Sequence, residues 1–139
     1  MKGPVIVVDG DDEQRGSLAK ELSAKGFKVT QVTDGTRCMR LVQGKSWRWV
    51  PKLIFVDSVL GGLSAFELLR RLSEKYEGKD TILVMTSKFK SSEDEVEALN
   101  AGAAGYLVKP FTLNDVESVQ ARVQEKRERI ASASEKFSD

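Results

Sequence analysis

Five short apolar runs recur along this chain with stretches of helical period between them, and that alternation leaves few folds open. The runs are residues 5–8, 27–32, 53–56, 81–85 and 105–108. Short apolar segments such as residues 5–8 and 53–56 suit strands buried on both faces, as in a parallel sheet. The first intervening stretch presents Leu18, Ala19 and Leu22 and stops at Gly26, a C-cap residue. The second, around residues 37–43, presents Met39 and Val42 before an irregular connection to Pro51. The third carries the clearest amphipathic stripe: Ala65, Leu68, Leu69, Leu72 and Tyr76. The fourth spans residues 93–101 and stops at Gly102, and the fifth carries Leu113, Val116, Val119 and Val123. Three starts match the capping box of Ser or Thr followed three residues later by an acid: Ser64 with Glu67, Ser92 with Glu95, Thr112 with Asp115.

Strands alternating with helices predict an α/β fold: a doubly wound, five-stranded parallel sheet in the flavodoxin-like order 2-1-3-4-5, with helices on both faces. Ligands of such sheets bind beyond the carboxyl ends of the strands, near the switch point. Asp9, Asp57, Thr86 and Lys109 all fall at or just past those ends. Asp9 is followed by Asp11, Asp12 and Glu13, and Gly10 stands among these acids where another carboxylate is expected. Two strands delivering acids to one edge suggest a site for a divalent cation and a phosphoryl group.

A chain of 139 residues suits one domain with a core of its own. Residues 1–125 are expected to form it, with residues 126–139 a charged extension of the last helix that frays into a tail. A net charge of +1 argues against a nucleic-acid surface. No apolar run approaches the ~20 residues that cross a bilayer. The start of the chain has no signal-peptide layout, and the single cysteine, Cys38, fits a reducing compartment, so the expected location is the cytoplasm. The absence of histidine excludes a Ser-His-Asp triad, an HExxH zinc site and a phosphohistidine relay within this chain.

A carboxylate can attack phosphorus and become an aspartyl phosphate. The group transferred is so highly charged that catalysis is mostly positioning and charge neutralisation. The parts needed are a nucleophilic carboxylate, acids to hold a cation, a lysine, and a hydroxyl within reach of a phosphoryl oxygen. Asp57, Asp9, Lys109 and Thr86 supply them.

Several strings then resemble the receiver domain of bacterial two-component response regulators. They are Val5-Ile6-Val7-Val8-Asp9, Pro51-Lys52-Leu53-Ile54-Phe55-Val56-Asp57, Ala65-Phe66-Glu67-Leu68-Leu69, Ile82-Leu83-Val84-Met85-Thr86 and, most specific, the run from Ala101-Gly102-Ala103 to Lys109-Pro110-Phe111. The resemblance covers about residues 4–125. It implies that Asp57 is the phosphoacceptor, Lys109 the lysine contacting the phosphoryl group, Thr86 the switch hydroxyl and Tyr106 the switch aromatic. It also implies Mg²⁺ held by Asp9, Asp57 and the Val59 backbone carbonyl. The donor would be a histidine kinase or a phosphotransfer protein. Such a domain is a signalling module rather than an enzyme.

Gly10 is the main departure, because the family pattern has two adjacent acids after the first strand. The missing carboxylate is one that would contact Mg²⁺ directly, so binding is expected to be weakened, with Asp11 as a substitute that the backbone freedom of glycine would let swing in. Gly61 also stands where proline is usual, Ala65 where glycine is usual, and Ser87 where alanine is common.

Three other readings compete. A degenerate receiver would be a fixed, phosphorylation-independent interaction module, and Gly10 speaks for it. A haloacid-dehalogenase-type phosphatase would use Asp9 as nucleophile and Asp11 as general acid, but it leaves Asp57 and the Lys-Pro-Phe ending unexplained. An FMN-binding flavodoxin needs phosphate-binding amides after the first strand, and the acidic loop there would repel a phosphate. Output is expected through the face of the fourth helix, fifth strand and fifth helix, toward a downstream protein or a second copy of the chain, with no nucleic acid and no membrane as partner.

Overall fold

The computed structural model describes residues 2–137. Five parallel strands, β1 (Pro4–Val8), β2 (Lys28–Val32), β3 (Leu53–Asp57), β4 (Ile82–Ser87) and β5 (Gly105–Val108), pair in the order β2-β1-β3-β4-β5. The helices are α1 (Asp12–Ala24), α2 (Gly35–Gln43), α3 (Ala65–Lys75), α4 (Ser92–Asn100) and α5 (Leu113–Phe137). This is the expected doubly wound sheet. Contacts divide the chain into two compact units, Met1–Lys109 and Pro110–Asp139, so the first holds the whole sheet with α1–α4 and the second holds α5.

The central strands explain the sheet. Every residue of β3 and β4 is buried, which a parallel sheet requires once helices cover it. Alternate residues Ile6, Val8, Ile54, Val56, Leu83 and Met85 join one cluster with Cys38 and Val42 of α2 and Leu68, Leu69 and Leu72 of α3. Burying each such leucine stabilises the fold by roughly 1.5–3 kcal/mol. The predicted α3 stripe is therefore the inner face of that helix, Tyr76 included. On the other face, Val5, Val7, Leu53, Phe55 and Val84 are buried, and α1 buries Ala19 and Leu22.

The helix starts follow the sequence signals with one shift. The Ser64 hydroxyl caps α3 by accepting from the Glu67 amide, as expected. For α4 the cap is Ser91, which accepts from the Asp94 amide, and not Ser92. Both serines satisfy the motif, but Ser91 is the one with extended backbone (φ −139°, ψ 112°), the geometry a cap needs. After α1, Gly26 takes a φ of 98°, which is why the helix stops at a glycine.

In the second unit, α5 opens with a reciprocal capping box. The Thr112 amide donates to Asp115 Oδ2 at 2.8 Å, and the Asp115 amide donates to Thr112 Oγ1 at 3.3 Å. Residues 132–137, expected as part of a fraying tail, are helical. Residues 124–137 contain no glycine or proline and are rich in Gln, Glu, Lys, Arg and Ala, so propensity carries the helix onward. The rest of the expected tail, Ser138 and Asp139, lies outside the described residues. Among the described residues no helix is long and apolar enough to cross a membrane.

Candidate functional site

In-register pairing brings the strand ends to one edge. Val8 pairs with Val56, Asp57 with Thr86, and Ser87 with Val108, so the residues that follow lie side by side. Asp9 and Asp57 therefore leave adjacent strands at the point where the chain order reverses. Both are buried, at 5% and 8% exposure, as is Thr86 at 3%. Buried carboxylates need compensation.

Lys109 provides it. Its Nζ lies 2.7 Å from Asp57 Oδ1 and 2.7 Å from Asp9 Oδ2, one ammonium shared by two carboxylates. Its main-chain N–H donates to the Ser87 carbonyl at 2.8 Å, which extends the ladder to the lysine and aims it at the edge. Partial burial of Lys109 works against its charge. The hydrogen bonds to Asp57 and Asp9 outweigh that penalty and hold its pKa above the ordinary 10.5. Thr86 Oγ1 donates to Asp57 Oδ1 at 3.3 Å, and the Val59 amide donates to Asp57 Oδ2 at 3.2 Å. The structure thus brings together Asp9, Asp57, Thr86 and Lys109.

Asp11 goes elsewhere. It caps α1, with Oδ1 accepting from the Gln14 amide at 3.1 Å, while Oδ2 lies 3.7 Å from Lys88 Nζ. The Gln14 amide first, and Lys88 after it, hold the Asp11 carboxyl below the usual carboxylate range. A carboxylate turned to the first turn of α1 is not the general acid that the phosphatase reading needs. Tyr106, on β5, donates its hydroxyl to the Phe89 carbonyl at 2.7 Å.

Among the described residues no three acidic or thiol side chains are grouped to hold a metal ion. The two carboxylates that do face each other still fit a hard cation. Asp57 Oδ2 and both Asp9 oxygens carry one hydrogen bond each, so each keeps a lone pair. Mg²⁺ commonly uses one or two carboxylates and fills its octahedron with water. At Gly10, an added Cβ would have the Thr33 carbonyl oxygen as its nearest neighbour at 3.6 Å, an ordinary contact. Sterics do not keep a side chain out.

Arg15 and Ser58 escaped the sequence reading, and Ser87 entered it only as a residue standing where alanine is common. Arg15 Nη1 donates to the Asp9 carbonyl at 2.9 Å and Nη2 reaches Asp12 Oδ1 at 2.8 Å, pinning the loop that carries Gly10. Nothing in a lone arginine on α1 signals this. Ser58 and Ser87 bond to each other at 3.0 Å, and their signal was the register: each follows a member of the Asp57–Thr86 pair.

A family model for the response regulator receiver domain matches residues 5–120. Response regulator MprA of Mycobacterium sp. (strain KMS) is 34% identical over 113 residues, which are 81% of this chain and 46% of MprA. Transcriptional regulatory protein PrrA of Mycobacterium tuberculosis is 33% identical over 135 residues, 94% of this chain and 54% of PrrA. The chain thus spans about half the length of these curated relatives. Among solved structures, a CheY-like receiver domain protein from Methanospirillum hungatei superposes with a TM-score of 0.77 at 22% identity, covering 93% of this chain and 99% of that one. A response regulator from Burkholderia pseudomallei, solved with a phosphorylated aspartic acid, a calcium ion and citrate, gives 0.74 at 23% identity, covering 90% and 72%.

Proposed function

Because the chain belongs to the response regulator receiver domain family, we propose that Asp57 accepts a phosphoryl group from a histidine kinase or phosphotransfer protein and that the change is passed on to a protein partner. The observation that carries this reading is the single ammonium of Lys109 joining Asp57 to Asp9, with Thr86 bonded to the same Asp57 oxygen. Residues 1–125 constitute the receiver domain in this reading, and residues 126–139 extend its last helix.

A carboxylate oxygen of Asp57 attacks phosphorus. The new O–P bond forms as the bond from phosphorus to the donor's leaving group breaks, and the leaving group departs with that electron pair. The Lys109 ammonium neutralises charge on the transferred group, and the Thr86 hydroxyl turns from the carboxylate to a phosphoryl oxygen. Asp9 and Asp57, with the Val59 carbonyl, are the residues that would hold Mg²⁺, and Asp11 stays on its helix cap. When bound, the cation offsets negative charge on the transferred group. The product carries about −1.5 to −2 charge where the free carboxylate carried −1, beside the partly buried Lys109, and so biases the Thr86 and Tyr106 side chains between two packings. Partners then read the surface of α4, β5 and the loop before α4, where Val96 and Leu99 of the helix and Phe89 of the loop are exposed apolar residues. The domain works as a signalling module rather than as an enzyme that turns over substrate.

Intact-mass measurement after acetyl phosphate with saturating Mg²⁺ tests the reading. One added phosphoryl group is expected in the natural chain and none in Asp57→Asn. No mass gain from acetyl phosphate or from a kinase donor would leave a phosphorylation-independent module as the better description.

A further inference from the structure

Asp57 and Thr86 pair across β3 and β4, and the residue after each is a serine. Successive side chains on a strand point to opposite faces, so Ser58 and Ser87 turn away from the Asp57–Thr86 bond together. They meet with the Ser58 hydroxyl donating to Ser87 Oγ at 3.0 Å. The Ser58 amide also donates to the Thr86 carbonyl at 2.8 Å, which holds the two loop starts in register past the end of β3. Ser87 is 2% exposed. Its hydroxyl accepts a second bond, from the Phe89 amide at 3.2 Å. The Phe89 carbonyl in turn accepts from the Tyr106 hydroxyl at 2.7 Å. A line of hydrogen bonds therefore runs from the residue beside Asp57 to Tyr106, and it does not pass through Thr86.

We propose that Ser87 is a positioning residue of the switch: with Ser58 it ties the loop after Asp57 to the loop after β4 and so sets where the Phe89 carbonyl stands for Tyr106. This rests on Asp57 being the phosphoacceptor. A buried hydroxyl loses its partners only at a penalty, so displacement of Ser58 by a group on Asp57 carries Ser87 with it. Phe89 follows through its amide, and the acceptor of the Tyr106 hydroxyl moves. The 3.3 Å bond from Thr86 to Asp57 and this serine line then report the same event by two routes.

Amide and tyrosine-ring NMR on the full chain, with and without beryllofluoride and Mg²⁺, tests the assignment in five proteins: the natural chain, Ser58→Ala, Ser87→Ala, the double variant and Ser58→Thr. In the free protein, either alanine variant should move the Phe89 amide and the Tyr106 ring signals. The Phe89 amide of Ser87→Ala should exchange about fivefold faster, the size expected for one lost neutral hydrogen bond. The double variant should add nothing to Ser87→Ala, since both cut one line. Ser58→Thr, which keeps the hydroxyl, should restore the natural signals. With beryllofluoride the alanine variants should still respond around Asp57 but lose about half or more of the Tyr106 response, given two parallel routes.

Unchanged Tyr106 signals in both free alanine variants, or purely additive effects in the double variant, would overturn the proposal whatever beryllofluoride does. No beryllofluoride response around Asp57 in the natural chain would instead strike the phosphoacceptor reading, and the free-protein comparison would still decide the serine line. Should Ser87→Ala fail to fold, Ser58→Ala and Ser58→Thr carry the test, because Ser58 is only half-buried.

Discussion

Lys109 and Asp57 lie 52 residues apart in sequence and 2.7 Å apart in space, ammonium Nζ against carboxylate Oδ1. The same ammonium reaches Asp9, so one positive charge offsets two buried negative ones. That balance governs how the site responds to mutation and pH.

Lys109→Met keeps the volume and removes the charge, leaving Asp9 and Asp57 facing each other. It should lower stability at neutral pH by ~3 kcal/mol, the lower end for breaking a buried pair. The folded pKa of Lys109 lies above 10.5. Its contribution is therefore complete below pH 10.5 and is lost as pH rises through the raised folded value. Urea unfolding of both proteins across that range should show the gap narrowing toward alkaline pH. A gap that widens would mean that the ion pair is not what stabilises the edge.

Gly10→Asp places a carboxylate where the nearest atom to its Cβ is 3.6 Å away. Mg²⁺ affinity should rise about tenfold or more, since losing even an outer partner of a metal ligand costs that much. The metal-free variant should lose ~1 kcal/mol from the added like charge beside Asp9. Calorimetric Mg²⁺ titration and urea unfolding in chelator read the two effects separately. Unchanged affinity would place the bound cation away from Asp9.

Tyr76 packs its ring against the core, but its hydroxyl is buried with no hydrogen-bond partner among the described residues. An orphaned hydroxyl costs roughly 1–3 kcal/mol. Tyr76→Phe should therefore unfold at equal or higher urea concentration. Burial pushes the Tyr76 phenol from 10.0 up to about 12. Stability tied to its neutral form is thus lost as pH climbs from 10.0 to about 12, and the phenylalanine variant should lose less over that window. A clearly less stable variant would show that the hydroxyl has a partner in solution.

Cys38 is fully buried, and desolvation first, with Asp34 adding to it, pushes its thiol from 9.0 up to about 12. The thiolate is the reactive form. A disulfide reagent at neutral pH should label Cys38 only at the rate at which the protein unfolds, and promptly in denaturant. Fast labelling of the native chain would mean that α2 opens locally.

Much of this protein is legible one segment at a time. Strand and helix follow from apolar runs and stripes that each bury on their own period, as at β3 and α3. The box at Thr112 and Asp115 and the stop at Gly26 follow from local backbone chemistry within a few residues. Asp9, Asp57, Thr86 and Lys109 could be named because strand ends are visible in sequence, and parallel strands in one sheet bring those ends to the same edge. Where two local candidates compete, short-range rules run out: Ser91 and Ser92 both suit the cap of α4, and backbone angle chose between them.

Which remote charges meet at the sheet edge was decided only by the tertiary structure. Asp11 has an acidic neighbourhood that suits a metal, yet its carboxylate is held by the Gln14 amide and stands near Lys88, which is remote in sequence. Lys109 selects Asp9 from 100 residues away because the sheet order sets β1 beside β3. Ser58 and Ser87 look unremarkable apart, and become a pair only when β3 and β4 fix their register. Secondary structure depends on neighbours along the chain. A carboxylate or hydroxyl bonds to whichever group lies within about 3 Å, and only the assembled sheet determines which group that is.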